Sequence, residues 1–90
     1  VETALKRLGA NLRTARLRRN ITLADVAKRI GASREVVGEA EHGKPSTSIA
    51  IYTALLWSYG LVERLGSLAD PATDDEGLRL ASLRERRNAS

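Results

Sequence analysis

Thr22-Leu23-Ala24-Asp25-Val26-Ala27-Lys28-Arg29-Ile30-Gly31-Ala32-Ser33-Arg34-Glu35-Val36-Val37 reads as a helix, a tight turn and a second helix. Thr22 is placed to cap the first helix, and Asp25, three residues on, completes a capping box. Val26, Ala27 and Ile30 then share one face at helical spacing. Gly31 supplies the left-handed conformation that ends a helix and that a residue bearing a Cβ adopts only at a cost. Ser33 caps the second helix, in which Val37 and Ala40 turn inward while Arg34, Glu35, Gly38 and Glu39 turn outward. Helices joined by so short a turn cross steeply and leave the second one protruding.

Upstream, Leu5, Leu8, Leu12 and Ala15 recur at helical spacing among basic residues, which predicts an amphipathic helix over about 5–19, ended by Asn20-Ile21. Downstream, His42-Gly43-Lys44-Pro45 is a turn: Gly43 ends the helix and Pro45 prevents its continuation. Ser46-Thr47-Ser48 offers caps for a fourth helix. Its apolar residues Ile49, Ile51, Tyr52, Leu55, Leu56 and Tyr59 are dense enough to be buried on more than one side, and Gly60 closes it. Leu61, Val62, Leu65 and Leu68 suggest a short fifth helix ending before Asp70-Pro71. Residues 72–77 read as an acidic loop, and residues 78–90 hold four arginines and only three leucines, too little apolar surface to join a core. The expectation is therefore an all-α domain of five short helices over residues 5–69, followed by a charged C-terminal tail over 70–90 that is mobile or partner-dependent.

Ninety residues allow one domain with a small core. Cysteine is absent, which excludes disulfides, thiolate metal sites and cysteine nucleophiles. No apolar run approaches the roughly 20 residues that span a bilayer, and the first residues are amphipathic and charged rather than signal-like. A cytoplasmic protein without membrane contact is expected. The net charge of +4 is unevenly spread: residues 1–45 hold ten Lys/Arg against five Asp/Glu, and residues 46–90 hold five against six. The positive field thus lies in the half containing the two capped helices, as a polyanionic partner requires, although a solvated basic face has the same composition. His42 is the only histidine, so no multi-histidine metal site exists, and a helix-end capping role is the simpler reading. Asp74-Asp75-Glu76 lacks the glycine and ligand spacing of a calcium loop and reads as solvated linker. With no Ser/His/Asp set and no phosphate-cradling glycine loop, no enzyme, cofactor or metal is expected.

With this helix order in place, the chain resembles the XRE family, the Cro/phage-repressor type of helix-turn-helix protein, over residues 8–68. The resemblance rests on Leu12-Arg13-x-x-Arg16, Thr22 to Gly31, Ser33-x-x-x-Val37 and Glu41-x-Gly43-Lys44-Pro45. It implies a repressor-like five-helix fold and a double-stranded DNA partner, with the helix over 33–41 entering the major groove. It implies base reading by Arg34, Glu35 and Glu39. Arg34 suits guanine O6 and N7, and Glu35 suits cytosine N4; a phosphate contact for Arg34 and a helix-dipole role for Glu35 are the alternatives. Phosphate contacts are implied for Thr22, Ser33, Lys44 and Arg13, with Arg18 and Arg19 as further candidates. Arg16 and Glu41 are implied to form a partly buried ion pair that holds the reading helix. Three positions depart from the family pattern: Leu23 stands where glutamine is usual, Gly38 removes a side chain from the reading helix, and Glu39 brings a carboxylate near the phosphates.

A homodimer is implied, with Trp57, Leu61 and Leu65 as its interface; a core role is the alternative for Trp57. A narrower similarity, carried by residues 5–19 and by Leu55-Leu56-Trp57-Ser58-Tyr59-Gly60-Leu61, is to HipB-like antitoxins. It implies autorepression and a HipA-type kinase toxin as a further partner. The competing class is a helix-turn-helix retained as a protein-interaction module without DNA binding.

Overall fold

A computed structural model of the chain describes residues 1–89, with side chains described through Asn88. It contains α1 (Glu2–Arg18), α2 (Leu23–Ile30), α3 (Arg34–Glu41), α4 (Ile49–Ser58), α5 (Glu63–Gly66) and α6 (Asp75–Ala89). The described residues form six helices and no strand, one helix more than the five expected.

Short-range chemistry sets most helix ends. Thr22 Oγ1 accepts from the Asp25 amide at 3.0 Å, and Asp25 Oδ2 accepts from the Thr22 amide at 3.4 Å, closing the capping box of α2. Gly31, at φ +72°, ends α2, and the Ala32 amide donates back to the Ala27 carbonyl at 2.9 Å. Ser33 then caps α3 through Oγ, which accepts from the Val36 amide at 3.2 Å. Of the three candidates before α4, Ser48 is the cap, its Oγ accepting from the Ile51 amide at 3.4 Å.

The core draws on each of the first four helices: Leu12 and Ala15 from α1, Val26 and Ala27 from α2, Val37 and Ala40 from α3, Tyr52 and Leu55 from α4, and Tyr59 just beyond it. Leu5, Leu8, Ile21, Leu23, Ile30, Ile51, Leu56 and Leu61 pack around it, half-buried. Leu23, the residue that departs from the family pattern, is thus anchored as an apolar contact of this cluster. The fourth helix is not buried on several sides as its composition suggested. Tyr52, Leu55 and Tyr59 face the core, but Ile49 is 66% and Trp57 62% exposed. Four small helices cannot enclose a helix that is apolar all round, so one face of α4 stays in solvent. The fifth helix is a single turn, and Leu68 lies outside the core.

Two glycines bring α1 onto the end of α3. A Cβ on Gly9 would lie 2.5 Å from the Ala40 carbonyl oxygen and 2.6 Å from that of Glu41. A Cβ on Gly43, at φ +69°, would lie 2.5 Å from the backbone of Lys6. Backbone meets backbone at both places, a separation that only glycine permits.

Most of the charged tail is helical, as α6. Its local signals suffice: Asp74 Oδ1 accepts from the Gly77 amide at 3.0 Å, Asp75 and Glu76 lie in the first turn, and Arg86 and Arg87 in the last. Acids at the start and bases at the end match the helix dipole. The acidic stretch read as linker is therefore a helix start. The low apolar content does show in burial, since Leu78, Leu80 and Leu83 are each about half exposed. The molecule is accordingly elongated, 61 Å by 23 Å by 20 Å.

Candidate nucleic-acid interface

The exposed edge of α3 stands as a ridge between two grooves. One is lined by Leu17, Asn20, Thr22, Leu23, Arg34 and Glu35, the other by Lys6, Glu35, Gly38, Glu39, His42 and Lys44. Glu35 lines both and so marks the crest. An α-helix with its side chains is about 10–12 Å across, close to the roughly 12 Å width of the DNA major groove. A ridge of this width is of a size that the groove admits.

What holds the ridge is Arg16. Its Nε donates to Glu41 Oε2 at 2.7 Å and its Nη2 to Oε1 at 3.1 Å, a two-point ion pair between α1 and the last residue of α3. Arg16 Nη1 donates to the Ile21 carbonyl at 2.9 Å, tying the loop before α2 to the same guanidinium. The two side chains are 9% and 5% exposed. The hydrogen bonds to Glu41 raise the Arg16 pKa above its already high ordinary value, against the opposing effect of burial. Arg16 is thus a permanent cation holding three elements.

Arg34 projects from the first turn of α3, exposed and without an ion pair among the described residues, into the groove shared with Thr22 and Leu23. Thr22 and Ser33 are both exposed caps whose oxygens are already accepting from their own helices, which leaves each hydroxyl proton free to donate outward. The Thr22 amide is taken by Asp25, so an anion at that helix end would meet the amides of Leu23 and Ala24 instead. Glu39 and Lys44 face each other, with Nζ 3.4 Å from Oε1, so the carboxylate that departs from the family pattern is offset by the neighbouring lysine. His42 Nδ1 lies 2.7 Å from the Gly38 carbonyl, so that nitrogen carries a proton and the ring closes the end of α3.

Some candidates lie elsewhere. Arg13 is exposed on α1 but lines neither groove beside the ridge. Arg19 serves the fold: Nη1 donates to the Ala15 carbonyl at 2.9 Å, Nη2 to the Tyr59 carbonyl at 3.0 Å, and the guanidinium lies 5.5 Å from the Tyr59 ring centre. Leu61 and Leu65 share an apolar groove with Leu8, Leu56 and Leu68, whereas Trp57 is exposed on α4 and does not line it. Gly9, on which the seating of α3 depends, was overlooked in the sequence. Its signal is a glycine inside an apolar helical stripe, which marks close backbone approach.

Two capped helices around a left-handed glycine, with the second raised as a ridge, define a DNA-binding helix-turn-helix unit. The chain belongs to the helix-turn-helix domain family, whose model matches residues 7–68. This family occurs in XRE-like regulators, which makes the protein a DNA-binding regulator of a type that is typically not enzymatic. No curated protein matches the chain, and no solved structure does. Among the described residues no helix is long and apolar enough to cross a membrane.

Proposed function

We propose that the protein is a sequence-specific transcriptional repressor of the XRE type, whose DNA-binding unit spans residues 5–69. It inserts α3 into the major groove of duplex DNA and blocks polymerase by occupying the operator. The observation that carries this reading is the α3 ridge with Arg34 at its leading end, unpaired among the described residues. Arg34 bridges guanine O6 and N7, a contact that discriminates by about 1–3 kcal/mol. Glu35, on the crest, accepts from cytosine N4, and Glu39 reads one turn later. Thr22, Ser33 and Lys44 contact phosphates on either side, with Arg13 further out.

The regulator binds as a homodimer, two half-sites to a site. The apolar groove holding Leu61 and Leu65 and, apart from it, the exposed Trp57 are the apolar surface that such an interface would cover. The apolar residues left exposed on α6 favour a further protein partner, and a HipA-type kinase neutralised by this chain is the reading that fits an autorepressing antitoxin.

Fluorescence anisotropy tests the DNA reading, with the duplex upstream of the protein's own gene and a scrambled duplex titrated at two salt concentrations. Binding at least about 10³-fold tighter to the native duplex is expected. Arg34→Ala is expected to reduce that preference. Equal, salt-erased binding to both duplexes would leave only charge attraction and make the protein-interaction module the better reading.

A further inference from the structure

We infer that Lys6, on α1 and outside the helix-turn-helix pair, is a second phosphate anchor that works beside Lys44 on the backbone wall next to the C-terminal half of α3. This rests on the docking of α3 proposed above.

The inference starts from Gly43. Its positive φ and missing Cβ let the turn after α3 lie directly against the backbone of Lys6. The start of α1 and the turn carrying Lys44 are therefore held as one surface, and both lysines are exposed along the same groove. With α3 filling the major groove, whatever flanks the ridge meets the sugar-phosphate wall.

The charges along that groove decide what Lys6 must do. Lys44 is drawn towards Glu39 at 3.4 Å, so much of its field is spent on its neighbour. Glu2 and Glu35 line the same groove. With Glu39 and Lys44 offsetting each other, Lys6 is the lysine of this groove that has no ion pair among the described residues. Its ammonium stands where the backbone passes. Arg7, the next residue, is also exposed but lines neither groove beside α3.

That contrast supplies the test. Lys6→Gln and Arg7→Gln each remove one positive charge from the same turn of α1. Affinity for the upstream duplex and for its scrambled counterpart is measured by anisotropy across a salt series. Loss of one phosphate contact lowers the slope of log K against log salt by about 0.9, which makes the loss of affinity between 50 and 200 mM salt about 3.5-fold smaller. Lys6→Gln is expected to show that change on both duplexes, with the native-to-scrambled preference kept, and Arg7→Gln less than half of it. Equal slopes for the two variants would overturn the anchor while leaving the DNA-binding reading intact. A narrowed preference in Lys6→Gln would also overturn it, because the residue would then be reading bases. No preference and no salt dependence in the unaltered protein would overturn the anchor together with the docking on which it rests.

Discussion

Arg16→Met is expected to cost the fold about 3–5 kcal/mol, the range for removing one member of a buried ion pair. The magnitude follows from what is left behind. Glu41, its side chain 5% exposed, loses donors at 2.7 Å and 3.1 Å and keeps its charge away from water. The Ile21 carbonyl loses its donor at 2.9 Å, a smaller cost because that residue is only half-buried. A chain of 90 residues has a total stability of about 5–13 kcal/mol. The single change therefore removes a large share of it.

The measurement is urea unfolding followed by far-UV circular dichroism, with the denaturant slope expected to stay constant. The informative partner is Arg16→Met with Glu41→Leu. Removing both charges leaves an apolar contact between α1 and α3, and the double variant is expected to be more stable than either single one. Single-variant losses below about 1 kcal/mol would refute this reasoning, since they would class the pair with exposed salt bridges. So would a double variant whose loss equals the sum of the singles.

Two further outcomes follow from the same structure. Gly38→Ala and Gly9→Ala make the same substitution inside a helix, yet opposite signs are expected. A Cβ on Gly38 meets nothing within 4 Å, so the change adds about 0.8–1 kcal/mol of stability. On Gly9 it meets two backbone oxygens, and overpacking of about 1–3 kcal/mol outweighs the same helix gain, read as a lower urea midpoint; equal midpoints for the two variants would contradict the close approach of α1 to α3. Burial, reinforced by the nearby Glu41 carboxylate, pushes the Tyr59 phenol above its ordinary value of 10.0. The native state then holds the proton longer than the unfolded chain, so stability is full below about pH 10 and falls as pH rises towards the native value. Tyr59→Phe is expected to lessen that alkaline loss at little cost, because the hydroxyl is buried without a hydrogen-bond partner in the described structure; an unchanged pH dependence in the variant would count against it.

What the sequence determined by itself was everything encoded within a turn or two of chain. Thr22 with Asp25, Gly31 and Ser33 announce two helices and the bend between them, and the caps form as those spacings require. Val26, Ala27, Val37 and Ala40 announce the faces that those helices bury. The sixth helix was legible on the same grounds, in Asp74 and the acids and arginines that follow. Lack of apolar surface predicts lack of burial there and not lack of helix, because local capping and charge order need no core.

Tertiary structure alone decided how α3 is seated and what flanks it. Gly9 is a close-contact residue only because the end of α3 arrives from thirty-odd positions away, and Lys6 joins the Lys44 groove only because Gly43 lets the turn settle on α1. Arg19 is drawn to Tyr59 rather than left for a phosphate, and Trp57 stays exposed because four small helices leave one side of α4 uncovered. Such outcomes depend on which backbones and charges meet across the fold. Caps and periodicities describe each segment against its own neighbours, and they hold no record of the segment that will pack on the other side.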